Sequence, residues 1–432
     1  MQISKRKFYL ALVIFSLVGQ IAWVMENMYF NVFIYKMFNA SAEAISTMVS
    51  ASAIAATATT LLVGAFSDKI GKRKLFICGG YLCWGVSILS FAAIRTDVIG
   101  ALFPAAVSAA SVGVTLVIVM DCVMTFFGST ANDACFNAWV TDSADESERG
   151  TVEGINAMMP LLAILAVFGG FMGFDLNLQS SWTVVFLIVG AVVFLLGLLG
   201  LFLIEEKKMD VRGNERYFAN LLYGFRPSVI TGNKPLYITL LAYGVFGIAI
   251  NIFMPYLILY YTVSLRMDNY VLIFAPAIVV AAVFTFFYGK VYDRRGFKGS
   301  VLLPIGMLMA GFVILYFFRS TPLVFVGTLI MLCGYLSGMA VFGAMLRDHT
   351  PEKKAGMFQG QRIIGQVLIP GVVGPAIGAA VLKNAETVVN DDGTTSFIPN
   401  ENIFLAAFVA AACIFLVLIP LFHMLKKERS HE

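Results

Sequence analysis

The sequence predicts an all-α integral membrane protein with twelve transmembrane helices in two pseudo-symmetric six-helix bundles. Three observations carry that prediction. Of 432 residues, 59% are hydrophobic and 13% charged, whereas a soluble domain carries roughly a quarter charged residues. Apolar stretches of about 20 residues recur along the chain, each able to cross a hydrocarbon core of about 30 Å at ~1.5 Å per residue. The loop motifs of the first half also reappear in the second. In lipid a helix satisfies its own backbone, and these continuously apolar runs lack the polar alternation of a membrane β-barrel.

Helices are expected near 8–35, 45–66, 75–94, 112–140, 151–173, 183–204, 235–262, 270–288, 300–318, 322–346, 356–382 and 402–425. They divide into a first bundle over 1–204, a central loop over 205–234 and a second bundle over 235–432. Lys5, Arg6 and Lys7 precede an apolar run reaching Tyr35, longer than the roughly 7–15 residues of a secretory signal core, so the first helix reads as retained. Residues 98–111 are apolar but contain Pro104, and read either as an interfacial loop or as the start of a long fourth helix. Residues 383–401, with Asn390, Asp391, Asp392, Gly393 and Pro399, have turn chemistry and are expected to form a mobile outer loop.

Lysine and arginine are distributed unevenly between alternate loops. One set of loops and termini holds 24 of the 30 and the other holds five, with Arg362 inside a helix. Positive loops stay on the cytoplasmic side, so both termini are expected there, in a multi-pass protein of the plasma membrane, with compact loops pointing to a bacterial inner membrane. The six cysteines lie in apolar runs without metal-ligand spacing, and the three histidines are scattered; neither a metal nor a cofactor is expected.

The loop after helix two reads Gly64-Ala-Phe-Ser-Asp68-Lys-Ile-Gly71-Lys72-Arg73-Lys74, and the loop after helix eight reads Gly289-Lys-Val-Tyr-Asp293-Arg294-Arg295-Gly296. A second pair follows helices four and ten, where Asp142 and Asp348 each stand eight residues before one glycine and twelve before another. These motifs resemble those of the major facilitator superfamily, with Lys69 and Lys72 replacing two family arginines. The resemblance implies two bundles rocking about a midplane site. It also implies a cytoplasmic gate of Asp68, Arg73, Asp142 and Arg149, with Asp293 and Asp348 in the second half. Within the superfamily, the run from Arg347 to Ile364 and the Glu26-Asn27 pair look like the glycoside-pentoside-hexuronide cation symporters and sucrose-type carriers. That branch's sodium-coupled members carry aspartates in helix two; here the helix offers hydroxyls such as Ser50, Ser52, Thr57, Thr59 and Thr60, which favours protons over sodium.

Ionisable residues inside membrane helices are costly and mark function by default. Glu26 in helix one and Asp121 in helix four are expected at one depth, where a carboxylate pair can hold a proton or a sodium ion. The alternative is that each is hydrogen-bonded between helices. Asp133 is a third coupling candidate or a buttress at the helix end. Arg362 either snorkels, clamps substrate hydroxyls or pairs with Asp133. Asn27 and Asn31 share a face of helix one; with Trp23, Asn251, Arg362 and Gln366 they form the expected substrate-binding set, since amides hydrogen-bond hydroxyls and rings stack on sugar faces. The expected function is proton-coupled transport of a sugar or glycoside. A drug or metabolite antiporter of the same fold is the alternative; a membrane enzyme would need a clustered nucleophile and base that the sequence does not group. The partners expected are a small-molecule substrate and membrane lipid, with no nucleic acid and a monomeric chain.

Overall fold

The computed structural model describes residues 4–104, 108–144, 148–205, 223–267, 269–350, 358–390 and 394–428. Among them, eleven helices are long and apolar enough to cross a membrane. They are α1 (Lys5–Phe38), α2 (Ala42–Ile70), α3 (Arg73–Ala93), α4 (Ala109–Ser143), α5 (Arg149–Phe171), α6 (Gln179–Leu203), α7 (Lys234–Ser264) and α8 (Val271–Ser300), then α10 (Thr321–Asp348), α11 (Gly360–Leu382) and α12 (Asn402–Glu428). Between α8 and α10, α9 (Leu302–Phe317) is apolar but only 16 residues long, or about 24 Å at ~1.5 Å per residue. The chain forms two compact units: Met1–Glu215 with Val389–Ser396, and Arg216–Val388 with Phe397–Glu432.

The glycines that end the repeated loop motif have a conformational reason. Gly71 ends α2 at φ 68°, and Gly296, its counterpart, breaks the course of α8 at φ 65°. Both lie where an L side chain would be strained. Asn39 closes α1 in the same left-handed region, and Ser41 Oγ caps α2 by accepting from the Ala44 amide at 3.2 Å.

The first unit is held by close helix contacts filled with rings. A Cβ on Gly85 of α3 would sit 2.5 Å from the Phe194 backbone nitrogen of α6, the near approach that small residues permit between membrane helices. Beside this seam Phe30, Phe33, Phe91, Trp182 and Phe186 stack or meet edge to face at 4.6 to 5.6 Å. In the second unit Phe253, Phe312 and Phe404 form a similar knot.

Two loop expectations change. Residues 98–111 are neither one loop nor an extension of α4: a short helix, Thr96–Leu102, stops before Pro104, and Ser108, in extended backbone, starts α4 afresh. The segment 383–401, expected to be a mobile loop, contains a hairpin of Thr387–Val389 with Thr395–Phe397. Side chains rather than strand length hold it. Asn390 Nδ2 donates to Thr394, Ser396 and Asn39 side-chain oxygens at 2.9 to 3.1 Å, and Asn39 Nδ2 donates to Thr394 Oγ1 at 2.7 Å. Asp391, Asp392 and Gly393 lie outside the described residues.

The N-terminal end of the first unit carries ion pairs. Lys5 pairs with Glu148 at 2.7 Å and Lys7 with Glu205 at 2.6 Å. The lysine hydrogen bonds hold both carboxyl groups below the usual carboxylate range. A depressed folded value makes the contribution present above the unfolded value and lost as pH falls through the folded one. A spin label at Ser4, in a chain without its native cysteines, is therefore expected to keep its mobility from pH 8 to 6. It should loosen below about pH 4. The effect should be small, since both pairs are solvent-screened, and an equal change in a Lys5→Ala/Lys7→Ala chain would assign it elsewhere.

Candidate functional site

Among the described residues, four helices widen locally to π turns. α1 widens to π turns at Met25–Tyr29, α4 at Ser129–Phe136, α7 at Tyr260–Ser264 and α11 at Ile364–Leu368. A π turn withholds the usual i+4 donor from a carbonyl, and such turns often mark functional sites. Asparagines make up part of the deficit. Asn27 Nδ2 donates to Trp23 O at 2.8 Å, Asn31 Nδ2 to Asn27 O at 2.9 Å, and Asn137 Nδ2 to Asp133 O at 3.3 Å. The widened turns of α1 and α4 carry Glu26 and Asp133.

Glu26 is 7% exposed, and its Oε1 accepts from both Ser52 Oγ of α2 and Thr125 Oγ1 of α4, the latter at 2.9 Å. The two hydroxyls are themselves 2.8 Å apart. Asp121, one turn before Thr125, is 1% exposed and close enough to Glu26 for the two carboxyl groups to interact electrostatically. Glu26 Oε2 and Asp121 Oδ1 are buried with no hydrogen-bond partner, a costly arrangement for carboxyl oxygens in particular. Two carboxyl groups that interact in low dielectric are stabilised by sharing a proton or by taking up a cation. Helices one and four thus bring these two carboxyl groups within electrostatic reach of each other.

Asp133 sits in a wider setting. Ser129 Oγ donates to its Oδ2 at 3.1 Å and Asn132 Nδ2 to its Oδ1 at 3.3 Å, and the Trp23 side chain also reaches it. Trp23 is braced against Trp84 with ring centroids 5.0 Å apart. Near Asp133 opens a cavity of about 360 Å³ between α1, α4 and α5, its walls polar at Ser16, Gln20, Asn132, Asn137, Thr141 and Asn156 and apolar at Val140, Ala144, Val152 and Met159. Ser16 Oγ donates to Asn156 Oδ1 at 2.8 Å. Among the described side chains, none that lines it is ionisable; those of Arg149 and Glu153 on α5 lie outside the described residues. Of the wall residues Gln20, Asn132, Asn137 and Asn156, none was among the expected substrate ligands; the signal that could have found them is the scatter of amides in the apolar runs of α1, α4 and α5.

The expected substrate residues are dispersed. Asn27 is exposed, Asn31 is wholly buried, and Asn251 Nδ2 donates to Gly247 O of its own helix at 2.9 Å where Gly374 of α11 comes close. Gln366 lies half-buried in the π turn of α11. Arg362 is half-buried with an unpartnered Nε, near enough to Tyr243 for its charge to act on the phenol. Of the expected gate, Arg73 and Asp142 pair at 2.6 Å. In the second unit Asp348 accepts from the Tyr292 hydroxyl, while neighbouring Asp293 is exposed. The side chains of Asp68 and Arg149 lie outside the described residues.

No curated protein matches the chain by sequence. Among solved structures, a mutant of the nucleoside transporter NupG superimposes with a TM-score of 0.72 at 13% identity, covering 96% of this chain and 100% of that one. The xylose transporter XylE from E. coli, in an inward open conformation, gives 0.68 at 14%, with 96% and 95% covered. A bacterial homolog of the human lysosomal transporter Spinster gives 0.67 at 15%, with 96% and 97% covered. At these identities the likeness establishes the fold alone. The model of the Major Facilitator Superfamily matches residues 8–360. The chain belongs to the Major Facilitator Superfamily and is a membrane transporter rather than an enzyme.

Proposed function

We propose that this transporter carries a neutral polyhydroxyl solute, a sugar, glycoside or nucleoside, with a proton bound at the Glu26–Asp121 pair and Asp133. The observation that carries the reading is a cavity with four amide and two hydroxyl side chains among its walls, next to the Asn132–Asp133 hydrogen bond in one unit. Amides both donate and accept, which suits hydroxyls, and the apolar Val140, Val152 and Met159 suit the carbon face of a sugar or base. The sugar and nucleoside transporters among the structural neighbours agree with this class at the level of their names.

Protonation of the carboxyl pair removes charge from a low-dielectric site and lowers the cost of moving that site past lipid-facing helices. Ser52 and Thr125 spend their hydrogens on Glu26, so they support a carboxylate and leave Asp121 to share the proton. A sodium ion in that place would draw on the same oxygens and compete with those donors. The Arg73–Asp142 pair acts as a gate at the loop-rich end, with both termini cytoplasmic and the glycoside-pentoside-hexuronide branch as the finer family assignment.

The test is uptake into proteoliposomes of D-xylose, D-glucose, sucrose and uridine, each with and without an imposed pH gradient. Accumulation of at least one, abolished by a protonophore and unaffected by replacing sodium with choline, is the expected outcome. Accumulation that follows sodium, or export of lipophilic cations without uptake of any of the four, would overturn the reading.

A further inference from the structure

Asn132 stands between the cavity and the carboxyl groups. It lines the cavity wall while being only 4% exposed, so most of the residue is enclosed. On the enclosed side its Nδ2 donates to Asp133 Oδ1 at 3.3 Å, and its Oδ1 accepts from the Tyr81 hydroxyl at 3.0 Å. The Tyr81 hydroxyl is also 3.2 Å from Phe15 O, so one hydrogen serves two acceptors. Both bonds of Asn132 are long or shared, and a stronger partner can displace them. Gly19 of α1 makes room for this contact: a Cβ there would lie 2.7 Å from Asn132 Oδ1 and 2.9 Å from Tyr81 Oη.

We propose that Asn132 is the positioning residue through which solute occupancy controls the protonation of Asp133. This rests on the polyhydroxyl reading of the cavity. A solute hydroxyl that hydrogen-bonds the Asn132 amide from the cavity draws it off Asp133 and leaves the carboxylate with one donor fewer. The carboxylate then takes a proton from a hydronium ion, whose O–H bond breaks as the carboxyl O–H bond forms and which leaves as water, while the Asn132–Asp133 hydrogen bond gives way to the one between amide and solute. Asn132 and Asp133 are adjacent within the π segment of α4, so a small movement of the amide shifts the bond between them. The titratable groups that face Asp133 are Glu26 from α1 and Tyr81 from α3, with Asp121 of α4 interacting with Glu26. From α2, the side chain that meets this cluster is the Ser52 hydroxyl. Solute, Asn132, Asp133 and Glu26 thereby form a contiguous relay inside one unit.

The relay makes a claim that a merely structural asparagine would not. In proteoliposomes loaded with a pH indicator, the number of protons entering per solute is measured for D-xylose, D-glucose, sucrose and uridine. Counterflow of the same solutes, which needs no gradient, is followed in parallel. Asn132→Ala is expected to slow counterflow, because the solute loses a hydrogen bond, and to lower the proton-to-solute ratio of the transport that remains by about fivefold or more. Tyr81→Phe keeps the amide and removes the hydroxyl that holds it, and is expected to lower the ratio by about twofold. An unchanged ratio in both variants overturns the role of Asn132. If Asn132→Ala fails to reach the membrane, an unchanged ratio in Tyr81→Phe overturns it alone. A wild-type chain that moves none of the four solutes refutes the polyhydroxyl reading itself and this inference with it. A wild-type chain that couples normally beside variants that also couple refutes only the relay.

Discussion

Glu26→Gln is expected to abolish gradient-driven accumulation of the transported solute while leaving counterflow within a few-fold of wild type. The substitution is close to isosteric, and a glutamine carbonyl oxygen accepts from Ser52 and Thr125 as the carboxylate Oε1 does. The packing of α1 against α2 and α4 is therefore preserved, and what is removed is the capacity to gain and lose a proton. The size of the effect follows from linkage. One proton moving down one pH unit supplies about 1.4 kcal/mol, enough for about tenfold accumulation of a co-transported neutral solute. The variant should settle at equal concentrations inside and out. Asp121→Asn should give the same phenotype, and the double variant should be no worse than either single one, because the two carboxyl groups act as one titrating unit. Wild-type accumulation in both single variants would remove the pair from the coupling step. Additive losses would show two independent proton sites instead.

The second large effect concerns stability. Gly85→Ala is expected to lower the thermal unfolding temperature of the purified protein markedly, whereas Gly79→Ala, two turns earlier on the same helix, is expected to be neutral or slightly stabilising. A Cβ at 85 would meet the Phe194 nitrogen, Cα and Cβ at 2.5 to 2.6 Å. Two of these atoms are backbone and cannot rotate away, so α3 and α6 must separate. Overpacking of this kind costs about 1–3 kcal/mol. At Gly79 nothing lies within 4 Å of the added carbon, and alanine instead gains about 0.5–1 kcal/mol of helix preference. The pair separates packing from propensity on one helix. Equal melting temperatures for the two variants would show that the α3–α6 seam does not limit stability.

Part of this site was legible before any fold was known. Glu26, Asp121 and Asp133 stood out because a lipid-facing chain keeps so few charges, and the cost of burying a carboxyl group makes each one informative alone. The paired glycines of the repeated loop were equally plain, and the positive φ at Gly71 and Gly296 supplies their reason. Ser52 was not distinguishable. It is one of several hydroxyls on α2, all at similar hydropathy, and only the rotation of that helix about its axis decides which one meets Glu26. Asn132, next to Asp133 in the chain, was not legible as a wall of a cavity, because its neighbours there come from other helices. Tyr292 as the partner of Asp348, and the side-chain knot of Asn39 with Asn390, join residues 56 and 351 positions apart, and no local pattern announces either.

The sequence by itself determined that the chain crosses a membrane many times, that its halves repeat, and which titratable groups lie in apolar surroundings. These follow from hydropathy and turn chemistry, which depend on a residue and its near neighbours in the chain. Only the tertiary structure decided which hydroxyls serve Glu26, where the helices widen into π turns, and that a cavity with amide walls opens beside Asp133. Hydrogen bonds between helices are set by register and rotation at the scale of an ångström, and many sequences with the same hydropathy profile would settle those differently.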